Sequence, residues 1–332
     1  MKVHLGFSLS DRIILVGAVL ASILSLSFLP LGGNVLTGAF AQNATEEQRS
    51  ATSSIAAVGA IANAQDDENG NPVWVLSGGD SSMPSDRPAN ATATELKGLT
   101  TSTVNYYGNA SGYLVHPENG TGLPAVVMIH EWWGLNQNIK NMAEQLAREG
   151  YIVLAVDLYG GEVATEANRA RELSSAVRSN PQVAIENMQA AVQHLSSLQN
   201  VNSSRIASLG WCFGGGQSLQ LALNTEQPLA ATVIYYGNLV TDQNELSKID
   251  WPVLGIFGSA DQSIPVDTVR QFESALDANR IENEIYIYEG VGHAFANPSG
   301  DNYAPEETAD AWAKTLDFLK RHVQPTLLLF FF

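Results

Sequence analysis

Short apolar runs alternate with amphipathic segments through most of the chain. The apolar runs are rich in Val, Ile and Ala and carry few polar positions, which predicts strands buried on both faces. These predicted strands lie at 124–130, 151–160, 205–211, 231–237, 252–258 and 284–290. Apolar residues recur at helical spacing at about 138–150, 165–178, 181–199, from 213, at 265–279 and at 304–322. The alternation predicts one α/β domain over residues 95–323, with a mostly parallel, doubly wound sheet and helices on both faces.

The N-terminal segment has a different pattern. Residues 13–31 are apolar and uncharged after a positively charged start, and Ala39 and Ala41 supply the small residues that a signal peptidase reads. We therefore expect residues 1–41 to be an export signal cleaved after Ala41. An uncleaved membrane anchor is the alternative, because the apolar run is long enough to span a bilayer.

Two further segments flank the predicted domain. Residues 42–94 are rich in Ala, Ser, Thr, Asn, Asp and Gly without a sustained period, which predicts a low-complexity linker or arm with one short strand at 72–76. Residues 324–332 end in the apolar run TLLLFFF and predict an exposed tail too short to span a bilayer.

Charge and composition narrow the classes of partner. The chain of 332 residues has 17 Lys and Arg against 34 Asp and Glu, a net charge of −17, and no basic cluster offsets it. That charge repels phosphate backbones and argues against nucleic-acid binding. We expect a small-molecule partner, with membrane contact only through an uncleaved N-terminus, while the oligomeric state stays open. Five Asn-x-Ser/Thr sequons are compatible with an extracellular location: Asn43, Asn90, Asn109, Asn119 and Asn202.

Polar residues that could take part in catalysis follow four of the predicted strands. Glu131, Cys212, Asp261 and His293 each come directly after an apolar run. In a parallel sheet the carboxyl ends of the strands meet at one edge, where ligands bind. The pattern therefore predicts that a thiol, a base and two carboxylates share one site.

Cys212 is the only cysteine of the chain, and it lies in the sequence Gly210-Trp211-Cys212-Phe213-Gly214. This Gly-x-nucleophile-x-Gly form is typical of a sharp turn between a strand and a helix, which exposes a nucleophile at the helix N-terminus. A buried structural cysteine is the alternative. His293 is the candidate base, and Asp261 is the candidate carboxylate that orients it. An ordinary turn or helix-capping role is the alternative for Asp261.

The stretch from about 101 to 321 resembles the dienelactone hydrolase family of α/β hydrolases. The resemblance is carried by PAVVMIHEWWGLNQNIKNMAEQLAREGYIVLAVDLYGG, ASLGWCFGGGQSLQLA, VIYYG, GIFGSADQSIP and YEGVGHAFANP. It implies an α/β-hydrolase fold and a Cys-Asp-His triad, which falls on Cys212, Asp261 and His293.

The resemblance also implies roles for residues around the triad. Glu131 would contact the resting thiol and help to generate the thiolate, and a carboxylate paired with an arginine is the alternative. The backbone N–H groups of Trp132 and Phe213 would form the oxyanion hole. Substrate-binding candidates are Arg169 and Arg171, from the region after DLYG, and Tyr236 in VIYYG.

No cofactor or metal is expected, because the single cysteine and scattered histidines have no zinc spacing and the glycines after Cys212 lack a phosphate-loop lysine. The sequence as a whole predicts an exported, cysteine-dependent hydrolase of lactones or small carboxylic esters that works through an acyl-enzyme. A non-catalytic, surface-tethered binding domain on the same fold is one alternative. A peptidase or acyltransferase variant is another.

Overall fold

The structure is a computed structural model that describes residues 62–66, 72–76 and 97–324. The predictions for residues 1–41, for most of 42–94 and for 325–332 lie outside these ranges. Strands β1 (Ala62–Asp66) and β2 (Pro72–Leu76) pair antiparallel, and β2 is the short strand predicted at 72–76. Within the described ranges, no helix is long and apolar enough to cross a bilayer.

The core of the domain is an eight-stranded sheet in the order β10-β9-β8-β7-β5-β6-β4-β3. Its strands are β3 (Leu99–Tyr107), β4 (Ala110–Pro117), β5 (Leu123–Ile129), β6 (Ile152–Val156), β7 (Val201–Trp211), β8 (Ala231–Tyr235), β9 (Val253–Gly258) and β10 (Asn283–Tyr288). The strands from β5 to β10 are parallel, while β3 and β4 form an antiparallel edge. The mostly parallel sheet that the sequence predicts is confirmed.

Helices cover both faces of this sheet. They are α1 (Gln137–Arg148), α2 (Ala167–Ser179), α3 (Pro181–Ser197), α4 (Phe213–Asn224), α5 (Gln243–Leu246), α6 (Val266–Ala278) and α7 (Pro305–His322). One buried cluster contains Met188 of α3, Leu219 of α4 and Phe272 of α6. The other contains Leu146 of α1 and Phe318 of α7. Each face of the sheet therefore has its own apolar core, as a doubly wound sheet requires.

Two features differ from the sequence prediction. The hairpin of β3 and β4 was not predicted, because β3 lies at the sheet edge and only Leu99 and Thr101 of its nine residues are buried. The run predicted as a strand at 151–160 ends at Val156. It ends there because the Asp157 carboxylate accepts hydrogen bonds from the N–H groups of Tyr159 and Gly161, which turns the chain.

Candidate active site

Cys212 lies at the turn between β7 and α4 in a backbone conformation that side chains rarely adopt. Its φ is +54° and its ψ is −117°. The conformation is held by a hydrogen bond from Cys212 N to Tyr235 O at 3.0 Å and one from Gly216 N to Cys212 O at 3.2 Å. A non-glycine residue pays a strain cost of about 1–3 kcal/mol in such a region, which is typical of functional turns. The thiol is thereby raised above the carboxyl edge of the sheet.

Glycines on either side of Cys212 allow this turn to fit between its neighbours. A Cβ on Gly210 would lie 2.1 Å from Gly214 O, and a Cβ on Gly214 would lie 2.3 Å from Ile129 O. Real Cβ atoms do not approach backbone so closely, so only glycine permits the start of α4 to pack on the end of β5. The crowding that the sequence pattern predicts around the nucleophile position is present.

The loops that follow β9 and β10 are joined by main-chain and side-chain hydrogen bonds. Ala260 N donates to Val291 O at 2.9 Å, and Ser259 Oγ accepts from Gly290 N at 2.8 Å. The two loops carry Asp261 and His293. Their side chains are therefore held together by the loops and not only by their own contact.

The structure brings Cys212, His293 and Asp261 into one chain of contacts. His293 Nε2 lies 3.1 Å from Cys212 Sγ, and His293 Nδ1 donates to Asp261 Oδ2 at 2.8 Å. The Asp261 side chain is fully buried, whereas 28% of the His293 side chain is exposed. A thiol that contacts one imidazole nitrogen while a carboxylate holds the other has the geometry of an activated nucleophile.

The surroundings of His293 favour the charged ring. Burial opposes the charge, but the hydrogen bonds with Asp261 and Cys212 outweigh it and raise the pKa of His293 to about 10. The ring is therefore suited to be the imidazolium partner of a thiolate near neutral pH.

Glu131 lies beside this group but is held by another residue. Only 4% of Glu131 is exposed, and its Oε2 accepts a hydrogen bond from Asn297 Nδ2 at 2.7 Å. Burial raises the pKa of Glu131 to about 7, while the charge of His293 and the hydrogen bond from Asn297 oppose that rise. Within the described part of the chain, Glu131 forms no ion pair with an arginine, and the hydrogen bond of the thiol is with His293. Among the described residues, no hydrogen bond joins Glu131 to the thiol, unlike the arrangement that the resemblance implies.

The backbone N–H groups of Trp132 and Phe213 lie on two segments that pack together. Trp132 follows β5 and Phe213 begins α4, and a Cβ on Gly214 would lie 2.4 Å from His130 O. Among the residues that the structure describes, neither N–H has a hydrogen-bond acceptor. Two unengaged donors beside a thiol, one of them at a helix N-terminus, suit an oxyanion.

His130 fixes the segment that carries Trp132. Its Nε2 accepts from Leu158 N at 3.2 Å, so Nδ1 carries the proton and donates to Glu131 O at 2.6 Å. Burial lowers the pKa of His130 to about 4, and the ring is neutral. His130 therefore ties together the loops after β5 and β6.

The two arginines predicted to bind substrate make other contacts. Arg169 pairs with Glu162 and Glu172, and Arg171 Nη1 donates to Asn168 Oδ1 at 3.0 Å. Both are exposed on α2 and, within the described ranges, have no hydrogen bond or ion pair with Cys212, His293 or Glu131.

A third, also exposed arginine of the same helix contacts Phe213, the residue that follows Cys212. The guanidinium carbon of Arg178 lies 5.5 Å from the centroid of the Phe213 ring, and its Nη1 donates to Ser174 Oγ at 3.3 Å. Burial raises the pKa of Tyr159, which experiences the charges of both Arg178 and Cys212. The sequence analysis did not single out Arg178 or Tyr159. The helical spacing of Ser174 and Arg178 predicts that they share a face, but it does not show that this face meets Phe213.

Tyr236 follows β8, the strand that lies between β7 and β9. It is 1% exposed, has a φ of +35°, and its ring contacts that of His293 at a centroid distance of 5.4 Å. Burial raises the pKa of Tyr236 well above its usual value, and the charges of Glu131 and Cys212 act in the same direction. The phenol therefore keeps its proton near neutral pH, beside the ring of His293.

The sheet order, the strand-to-helix turn after β7 and the loops after β9 and β10 define an α/β-hydrolase fold. Residues 110–323 match the model of the dienelactone hydrolase family, and the chain belongs to that family. It is a hydrolase of the carboxylic-ester class, as the sequence predicts.

Individual relatives agree with this assignment. The chain is 32% identical to the "Putative carboxymethylenebutenolidase" of Saccharolobus solfataricus over 244 residues, which cover 63% of this chain and 93% of the relative. A crystal structure named "Putative Dienelactone Hydrolase", from Klebsiella pneumoniae, is 27% identical with a TM-score of 0.58, and the match covers 67% of this chain and 98% of that one. A dienelactone hydrolase-like promiscuous phosphotriesterase from metagenomic libraries has the same fold, with a TM-score of 0.63 at 24% identity over 68% of this chain and all of its own.

Proposed function

We propose that this protein hydrolyses lactones or small carboxylic esters through a covalent acyl-enzyme on Cys212. The observation that carries the proposal is the 3.1 Å contact between Cys212 Sγ and His293 Nε2, with His293 Nδ1 bound to Asp261 at 2.8 Å. A structural cysteine needs neither this contact nor a strained backbone.

In the first half-reaction the thiolate of Cys212 attacks the carbonyl carbon of the substrate. The electron pair of the carbonyl moves to its oxygen, which the N–H groups of Trp132 and Phe213 stabilise. When the tetrahedral intermediate collapses, the carbon–oxygen bond to the leaving group breaks and His293 donates a proton to that oxygen. The product is a thioester on Cys212 and an alcohol, which in a lactone remains attached to the acyl chain.

In the second half-reaction water hydrolyses the thioester. His293, now neutral, removes a proton from the water as its oxygen attacks the carbonyl carbon. Collapse of the second intermediate releases the carboxylic acid and restores the thiolate beside the imidazolium. Asp261 holds one tautomer of His293 and stabilises its charge throughout.

Substrate recognition is proposed to involve Arg178, Tyr159 and Tyr236. The guanidinium of Arg178 offers a positive charge 5.5 Å from the ring of Phe213, and the buried hydroxyl groups of Tyr159 and Tyr236 retain their protons. This combination favours a small substrate with a carboxylate or another polar group near the scissile bond. Arg169 and Arg171 stay as candidates, although their contacts on α2 occupy them elsewhere.

The experiment that tests the proposed chemistry is mass spectrometry of protein quenched during turnover of a small ester. We expect an acyl adduct on Cys212 that forms and decays with the kinetics of product release. A non-catalytic binding domain would give neither turnover nor adduct. A peptidase or acyltransferase would give an adduct but would prefer a peptide donor or an acceptor other than water.

Export is a separate proposal, supported by the apolar segment at 13–31 and the small residues before Gln42. Mass spectrometry of the protein recovered from its native host tests it. A mature N-terminus at Gln42, or a full-length membrane-bound form, agrees with export through a cleaved signal or an anchor. A full-length protein in the cytoplasmic fraction contradicts both.

A further inference from the structure

Asn297 makes a buried contact that the proposed chemistry does not use. Its Nδ2 donates to Glu131 Oε2 at 2.7 Å, although the two residues are 166 positions apart. Asn297 is 8% exposed and Glu131 is 4% exposed. A buried hydrogen bond to a carboxylate, shielded from water, is among the stronger polar contacts in a protein.

The orientation of the Asn297 side chain is fixed by the loop that carries it. Its Oδ1 accepts from Ser299 N at 2.9 Å, and its own N–H donates to Ala294 O at 3.0 Å. Because the amide oxygen is occupied by a main-chain donor, the amide nitrogen must face Glu131. The same loop contains His293, so Asn297 connects the histidine loop to the segment after β5.

The charges around Glu131 come from three elements. His293 faces it from the loop after β10 and Tyr236 from the end of β8, while Cys212 lies beside both. On its own segment, His130 is neutral and bound to Leu158 N and Glu131 O. Asn297 therefore donates to the Glu131 carboxylate from a side chain that carries no charge.

We propose that Asn297 is a positioning residue that holds the Glu131 carboxylate away from Cys212, so that the thiol pairs with His293 before any substrate binds. The proposal rests on the proposed function, in which that pair is the nucleophile. A carboxylate that hydrogen-bonds to a thiol keeps the thiol from its base until another group displaces the carboxylate. Here the amide of Asn297 hydrogen-bonds to the Glu131 carboxylate instead, and the Cys212 thiol is already in contact with the His293 imidazole.

The test is a double-mutant cycle read by alkylation of Cys212 with iodoacetamide in the absence of substrate. Asn297→Leu removes the amide at similar size. It releases a buried carboxylate that is free to bind the thiol or to take up a proton. We expect the alkylation rate at pH 7 to fall about tenfold, the scale of one hydrogen bond to a charged group. In the Glu131→Gln background there is no carboxylate to release, so Asn297→Leu is expected to alter the alkylation rate less than twofold.

The pH profile distinguishes positioning from damage to the loop. Titration of Glu131 should appear as a step in the plot of alkylation rate against pH, and Glu131→Gln identifies that step by abolishing it. In Asn297→Leu we expect the step to move up by about one pH unit, because the carboxylate loses a hydrogen-bond donor. Equal rate losses in both backgrounds, or an unchanged profile, would overturn the proposal. Asn279→Leu is the matched control, since among the described residues that amide donates only to main-chain oxygens of Gln243 and Ala275. Alkylation measures the reactivity of the Cys212 thiol without turnover. A failure of the proposed ester hydrolysis is therefore detected separately from a failure of the positioning role of Asn297.

Discussion

Gly214 packs directly on the main chain of Ile129. A Cβ at Gly214 would lie 2.3 Å from Ile129 O, so the start of α4 approaches the end of β5 as closely as a glycine allows. This contact fixes the distance between the two segments that supply the proposed oxyanion donors, Trp132 and Phe213. It connects the glycines of the turn around Cys212 to the proposed chemistry.

Gly214→Ala is therefore expected to destabilise the protein by roughly 2–3 kcal/mol and to reduce ester turnover with it, because backbone must move to admit the methyl group. Gly216→Ala is the control on the same helix. Its Cβ would lie 3.3 Å from Asn238 N, which requires only a small adjustment. Urea unfolding of both variants checks this. Equal stability of the two would show that the close approach is not rigid.

Asp261→Asn is expected to lower kcat/KM by about 100-fold or more, and to lower stability near neutral pH because the carboxylate that raises the pKa of His293 is lost. The amide loses the negative charge that supports the His293 imidazolium and favours the wrong tautomer. Its retained Oδ1 can still accept from Ser263 N and Ile264 N, which shape the loop. Steady-state kinetics and thermal melting, measured together, check the prediction. An unchanged kcat/KM would contradict the role of Asp261 in orienting His293.

Glu131 is expected to make folding stability depend on pH. Its pKa is about 7 in the folded protein against 4.5 as the reference, so the native state binds the proton more tightly. The stabilisation from this proton is present at low pH and is lost as pH rises through 7. Between pH 5 and 8, the wild type should therefore lose about 2 kcal/mol of unfolding free energy relative to Glu131→Gln. Urea unfolding at both pH values measures this, and a difference that does not vary with pH would contradict it.

Arg178→Gln is expected to reduce kcat/KM about tenfold for esters that carry a carboxylate and to change it little for neutral esters. Loss of one charge-assisted contact has this scale. Arg169→Gln and Arg171→Gln are matched controls on the same helix, each in contact with residues of the surface. Competition between acidic and neutral esters gives the ratio of their kcat/KM values directly. If Arg169→Gln or Arg171→Gln changes the ratio and Arg178→Gln does not, substrate recognition follows the sequence prediction instead.

The parts of the site that the sequence predicts well are local. The glycines around Cys212 indicate a strand-to-helix turn because the strain and crowding arise within a few residues. The apolar runs place Asp261 and His293 after strands, and the resemblance places them with the thiol. These positions follow from the chain itself.

The parts that the sequence does not predict depend on packing between distant segments. Asn297 meets Glu131 across 166 positions, and no local pattern indicates which polar group a buried carboxylate will find. The face of α2 that turns Arg178 toward Phe213 depends on how the helix packs. Likewise, apolar runs alone do not specify the order of strands in the sheet, in which β8 lies between β7 and β9.

The central claim is that Cys212 is the nucleophile, and turnover of a small lactone by Cys212→Ser and Cys212→Ala tests it most directly. A hydroxyl is far harder to deprotonate than a thiol, so Cys212→Ser should lose about 100-fold or more of kcat, equivalent to about 2.7 kcal/mol of barrier. Cys212→Ala should be inactive, with melting temperatures of both variants close to that of the wild type. Full lactone turnover in Cys212→Ala would contradict the account.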